Sequence, residues 1–173
     1  KVCRKYLIDT GCGKDLVTLR DCEQWRKLFV RVDPIVFSTA NGASNTNMVM
    51  PMRITAFDND VADAYLLQST PGVLSVGARC NHRGYSFIWL RGKIPCMITP
   101  NLTTVPLDVT GDIPYLVDGG NSEYSGDLQW CATHCGITIV QKKVVIATSE
   151  GEEDICATAL DKPATSKDAG TQT

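Results

Sequence analysis

The chain has 173 residues, 43% of them apolar, with 17 Lys and Arg against 19 Asp and Glu, which is enough for one sizeable core and too little for two full domains. A net charge of −2 without a basic stripe, and apolar runs such as 136–140 that fall far short of a bilayer, exclude a nucleic-acid footprint and a membrane-spanning helix. Eight scattered cysteines lack the dense even spacing of a disulfide scaffold and read mostly as buried thiols, and the start at Lys1 without a leader reads as an excised segment with no secretory signal, hence an intracellular setting.

From Val2 to about Trp89 short β-branched and aromatic runs alternate with turn residues, an all-β pattern. The first, Tyr6-Leu7-Ile8, stops at Asp9-Thr10-Gly11, and Leu16-Val17 can resume a strand. Cys22, Trp25, Leu28 and Phe29 recur at helical spacing, so a short helix is predicted over 21–29 with Asp21 as its cap. Two runs, 35–40 and 46–54, flank Asn41-Gly42-Ala43-Ser44-Asn45, and the Asn-Gly dipeptide predicts a projecting hairpin. A strand over 62–68 follows, then Val73-Leu74-Ser75-Val76-Gly77, a polar helical turn, a strand over 85–89, and a further hairpin from 94–99 and 104–109.

Beyond Gly119-Gly120 the composition turns acidic and rich in Ser, Thr and Gly. A domain over 1–117 (core about 5–95) followed by a largely irregular tail over 118–173 is therefore expected, with 161–173 disordered. Residues 128–147 hold enough apolar side chains for a strand pair of unassigned place, and Glu150 to Asp154 reads as a solvated acidic linker.

Two histidines do not supply a His-Glu-x-x-His zinc peptidase pattern, and neither accompanies a serine or cysteine nucleophile in a recognisable frame. A carboxylate remains. Asp-Thr-Gly after an apolar strand is a tight turn that holds an aspartate at the strand end, with glycine permitting close backbone approach. One such turn is half a catalyst, because shared-proton chemistry needs a second carboxylate beside the first.

The order of apolar strand with Asp9-Thr10-Gly11, Leu16-Val17, a hairpin at Gly42, a strand, Pro71-Gly72-Val73-Leu74-Ser75-Val76-Gly77-Ala78-Arg79-Cys80 and Gly84-Tyr85-Ser86-Phe87 resembles the retropepsin-like aspartic proteases, most closely the protease region of copia-type retrotransposon polyproteins. The resemblance covers about residues 5–95. It implies an all-β fold, a closed barrel or sandwich half-lobe with a flap hairpin and one or two short helices. It further implies an aspartic endopeptidase that works without metal or cofactor as a homodimer on a peptide or polyprotein substrate. By position, Asp9 would bind the lytic water, Thr10 would clasp its counterpart, and Gly11 would shape the turn. Val76 and Gly77 would support it, and Asn41, Gly42 and Ala43 would form the flap. Cys12 and Gly13 stand where that family has small residues such as alanine or serine. The alternative is a non-catalytic dimerisation or peptide-binding module descended from the same fold.

Two other readings weigh less. Tyr115-Leu116-Val117-Asp118-Gly119-Gly120 echoes the first motif, but lacks its threonine and is followed by no second flap, so a second lobe in the same chain is rejected. Cys131, His134 and Cys135, with Cys156, offer zinc-type ligands in a spacing that fits no common finger, and read as free thiols in a tail.

Overall fold

In the computed structural model, residues 5–39, 42–119, 127–148 and 151–155 are described, the last group by backbone alone. The chain is mostly β with a few short helices. The main sheet has eight strands: β1 (Lys5–Asp9), β2 (Leu16–Thr18), β3 (Val30–Thr39), β4 (Gly42–Ile54), β5 (Asp60–Leu67), β6 (Val73–Ser75), β10 (Asp108–Thr110) and β11 (Ile113–Val117). Their spatial order is β10-β11-β1-β6-β2-β5-β4-β3. The end strands β10 and β3 do not pair with each other, so the expected closed barrel is not formed: the sheet stays open. A second sheet joins β7 (Ser86–Ile88), β8 (Cys96–Ile98) and β9 (Thr104–Pro106).

Period-two alternation explains the main core. Tyr6 and Ile8 of β1, Met50, Met52 and Ile54 of β4, and Ala62, Ala64 and Leu66 of β5 turn inward and meet Phe57, Leu74, Met97, Leu107 and Leu116. The intervening residues face the other side, where Leu7, Leu16, Leu67 and Val73 form a smaller cluster with Cys12, Phe37 and Tyr65. Between β2 and β3 the predicted helix is displaced. An α-turn, α1 (Leu19–Cys22), begins after Thr18 and continues as a 3₁₀ helix, Glu23–Leu28; Asp21 lies inside the helix rather than capping it. Cys22 is buried and Leu19, Trp25 and Phe29 pack against the core, but Leu28 is exposed. More helix is present than the one or two pieces expected: α2 (Val76–His82), α3 (Leu128–His134) and a 3₁₀ turn at Thr55–Phe57 complete the set among the described residues.

The stretch expected to be largely irregular is ordered where it is described. α3 is capped by Asp127, whose carboxylate accepts from Trp130 N at 2.8 Å. It leads into an antiparallel sheet of β12 (Ile137–Val140), β13 (Lys143–Thr148) and β14 (Gly151–Ile155). Ile137 and Val144 join Cys96, Ile98, Cys131 and Cys135 in a core of their own, so this region packs on β8. β14 lies within the acidic run read as a linker; its backbone pairs with β13 from Val144↔Ile155 to Thr148↔Gly151, a stabilisation that side-chain polarity does not oppose at a sheet edge. Residues 161–173 and Cys156 lie outside the described residues.

Candidate functional site

β1 places Asp9 at its last position, on the face of Leu7 rather than of the buried Tyr6 and Ile8. The carboxylate is half-buried. Its Oδ1 accepts from Gly11 N at 2.7 Å and from Cys12 N at 3.2 Å, an aspartate-closed turn that fixes one oxygen on the backbone following it. Among the described residues Oδ2 accepts no hydrogen bond. Gly11 bears on the same oxygen: a Cβ there would stand 3.4 Å from Asp9 Oδ1. Thr10 is exposed at the tip of the turn. Cys12 donates Sγ–H to the Lys14 carbonyl at 3.1 Å, and burial, with the charges of Asp9 and Asp15 adding, pushes its thiol above the usual range.

What stands beside Asp9 is set by β6. β1 and β6 run parallel with Leu7↔Val73, Ile8↔Leu74 and Asp9↔Ser75 in register. Ser75 is fully buried and caps α2, its Oγ accepting from Ala78 N at 3.1 Å. Val76 and Gly77 form the first turn of that helix; Val76 enters the main core, while a Cβ on Gly77 would meet only Ser75 Oγ at 3.9 Å, so space does not demand glycine there.

Sequence reasoning missed the pair that holds this arrangement. Asp15 accepts from Ser75 N at 2.7 Å and takes both ends of the Arg79 guanidinium, Nη1 on Oδ1 at 2.7 Å and Nη2 on Oδ2 at 3.1 Å. Arg79 is 1% exposed and Asp15 8%. Arg79 Nη1 also reaches the Ser75 carbonyl at 3.3 Å, its guanidinium lies 5.5 Å from the Phe57 ring centre, and its Nε has no partner among the described residues. A bidentate ion pair thus ties the loop after Asp9 to the strand beside Asp9. Its only sequence signal is an aspartate and an arginine 64 residues apart, which no local pattern links.

The hairpin of β3 and β4 is longer than predicted: Val30↔Val49 at its base and Thr39↔Gly42 at its end, with a bulge between Arg31 and Ile35. β5 covers β4 only from Val49 to Ile54, so residues 42–48 pair with β3 alone and form a free arm. Gly42 takes φ +109°, and Gly42 and Ala43 are exposed; Asn41 lies outside the described residues. Phe37, on the arm, packs edge-on against Tyr65 at 5.6 Å and joins the Leu7 and Cys12 cluster, which ties the arm to the Asp9 face. Two clefts, of about 510 Å³ at the arm's root and about 370 Å³ beside Tyr85 and His82, are not lined by Asp9.

The echoing segment becomes β11 and lies antiparallel on β1, Lys5↔Val117 to Leu7↔Tyr115. Asp118 therefore sits past the far end of β1, roughly 17 Å from Asp9 at the usual strand rise. It is 1% exposed and its Oδ1 accepts from Ala56 N at 2.8 Å. Cys131 and Cys135 are buried in the second core with Cys96, whereas His134 is exposed, stacked on Trp130 at 4.3 Å with Nδ1 against the Trp130 carbonyl at 2.9 Å. Among the described residues no three His, Cys, Asp or Glu side chains converge as metal ligands. No helix among them is long and apolar enough to cross a membrane. The chain matches no family model, no curated protein and no solved structure.

Proposed function

We propose that this chain is an aspartic-type endopeptidase of retropepsin type that works as a homodimer, each copy contributing Asp9, and that its substrate is a peptide or a polyprotein of a retrotransposon. The observation that carries the reading is the state of Asp9: a half-buried carboxylate at a strand end, one oxygen fixed by two backbone N–H groups and the other unbonded among the described residues, in register with a buried strand that runs straight into a helix. The free arm of β3 and β4, tied to the same face by Phe37, supports a flap role for Gly42 and Ala43.

In the dimer one Asp9 carries a proton and its mate does not, because two adjacent carboxylates resist joint ionisation. The ionised copy takes a proton from water as that water attacks the peptide carbonyl; the protonated copy donates to the carbonyl oxygen. No acyl-enzyme forms. Thr10, exposed beside Asp9, would clasp its counterpart across the dimer axis.

The test is cleavage of a peptide library by the purified chain and by Asp9→Asn, with sedimentation of both. Loss of at least about 10²-fold in rate on a folded, dimeric Asp9→Asn protein is expected. Unchanged cleavage by that variant, or a strictly monomeric chain at high concentration, would sink the reading.

A further inference from the structure

The hairpin arm leaves one strand edge uncovered. β5 lies on β4 from Ile54↔Asp60 to Val49↔Tyr65, then turns away to run beside β2 with Leu66↔Val17 and Leu67↔Thr18. Among the described residues 43–47 therefore pair with β3 alone, and the row of backbone N–H and C=O groups on their other side meets no strand. Thr46 Oγ1 accepts from Met48 N at 3.2 Å, which closes the root of that edge with a side chain. The outer edge of the sheet is built differently: β3 carries exposed Arg31, Asp33 and Pro34 and a bulge between Arg31 and Ile35, devices that block strand addition. Residues 43–47, Ala-Ser-Asn-Thr-Asn, hold no charge and no proline.

We infer that this edge of β4 binds an extended, uncharged peptide segment of another polypeptide, which adds to the sheet as a strand over 43–47. The cleft of about 510 Å³ at the arm's root gives that segment its place. Asn45, Thr46, Asn47 and Met48 are consecutive and all line it; successive side chains of a strand point to opposite faces, so a cleft that touches all four runs along the edge, where the backbone groups are. Leu19 and Leu66 add apolar surface and Gln68 an amide. No charged side chain lines the cleft, so a charged residue entering it loses water without gaining a counter-ion, which selects for neutral peptides. Backbone pairing supplies the affinity, and the alternate side chains that enter the cleft supply the selectivity.

This place is separate from the Asp9 face. Leu19, Met48 and Leu66 belong to the main core, whereas the cluster on the Asp9 face consists of Leu7, Leu16, Leu67 and Val73 with Cys12, Phe37 and Tyr65, none of which lines the cleft. Strand addition here needs no carboxylate, so it stands whether or not Asp9 cleaves peptides.

The experiment uses the full chain carrying Asp9→Asn, so that no probe is consumed, and a capped heptapeptide alternating valine with threonine, followed by fluorescence polarisation and amide hydrogen exchange. Saturable binding with slowed exchange over 43–47 is expected. Methylating the probe's backbone nitrogens removes its strand donors and should weaken binding at least about 10-fold, as should replacing its central valine by glutamate or lysine. On the protein, Asn45→Lys with Asn47→Lys sets charge on the edge and should lower affinity about 10-fold or more, while Asn45→Ser with Asn47→Ser retains it; equal thermal midpoints show that both fold. Absence of saturable binding, protection confined to residues 5–14 around Asp9, or equal affinity for the methylated or charged probes overturns the inference. So does self-association of the chain through this edge, seen in sedimentation as loss of the larger species in the double lysine variant, because a second copy is then the strand that covers it.

Discussion

Replacing Asp15 by Asn keeps the side chain's size and removes its charge beneath a cation that is 1% exposed. Three bonds converge on the carboxylate, two from Arg79 and one from Ser75 N, and all are 3.1 Å or shorter. The asparagine has one carbonyl oxygen to offer and turns an amide donor toward the guanidinium. Removing one member of a buried ion pair costs about 3–5 kcal/mol, because the surviving charge stays buried without compensation. For a chain of this size, at about 2–4 °C per kcal/mol, thermal unfolding should fall by roughly 6–20 °C. Urea unfolding followed by tryptophan fluorescence gives the free energy. The paired replacement Asp15→Leu with Arg79→Met removes both charges and keeps apolar bulk against Phe57, so it should recover part of the loss, leaving a deficit of about 1–3 kcal/mol from the buried Ser75 N–H, which loses its acceptor. A cost below about 1 kcal/mol for Asp15→Asn, or no recovery in the double variant, would refute the claim that this pair holds the loop after Asp9 to β6.

Asp118→Leu should cost about 1–3 kcal/mol by leaving Ala56 N without its acceptor, while Asp118→Asn, which keeps a carbonyl oxygen, costs less; denaturant midpoints separate the two. Gly42→Ala should strain the arm by about 1–2 kcal/mol at φ +109°, seen as faster amide exchange over 42–48 with little change in the global midpoint, because no neighbour lies within 4 Å of an added Cβ. Alkaline pH should destabilise the chain. Cys131 is pushed up from 9.0 to about 12 in the folded state, so the unfolded chain loses that proton first, and stability present below pH 9.0 drains away up to about 12 at about 1.4 kcal/mol per pH unit. Urea midpoints measured at rising pH should show this fall, and Cys131→Ser should reduce its slope.

Much of the main sheet is legible because its strands alternate. Ala62, Ala64 and Leu66 of β5 face inward between exposed Val61 and Asp63, and Tyr6 and Ile8 do the same in β1, so strand and face follow from period two alone. Asp9 at a strand end was equally readable. What failed depends on partners distant in sequence. Barrel closure is a question of whether β3 and β10 meet, and nothing in either strand records it. β14 is Gly-Glu-Glu-Asp-Ile, which no hydrophobic pattern marks as a strand; the backbone of β13 recruits it. The Asp15–Arg79 pair and the meeting of Cys96 with Cys135 are likewise products of the fold, visible only once β6 lies beside β1 and α3 beside β8.

Asp9 and Asp118 show why a motif alone does not define a site. Both follow an aromatic-led apolar strand and have a glycine within two residues after them, and the two strands even pair with each other. The antiparallel register sends the carboxylates to opposite ends, so the resemblance between the segments keeps them apart. Asp118 is enclosed and its Oδ1 is engaged by the Ala56 amide, an acceptor's role in holding a turn. Among the described residues Asp9 has only Oδ1 engaged, by its own turn, and it stays half-buried on the face from which the hairpin arm projects. A catalytic carboxylate must reach water and substrate, which favours Asp9 on physical grounds independent of any resemblance. The same geometry denies it an acidic partner from Asp118 in its own chain. The proposed reaction needs two carboxylates sharing a proton, so in this reading a second copy of Asp9 supplies the other, and dimerisation and catalysis stand or fall together.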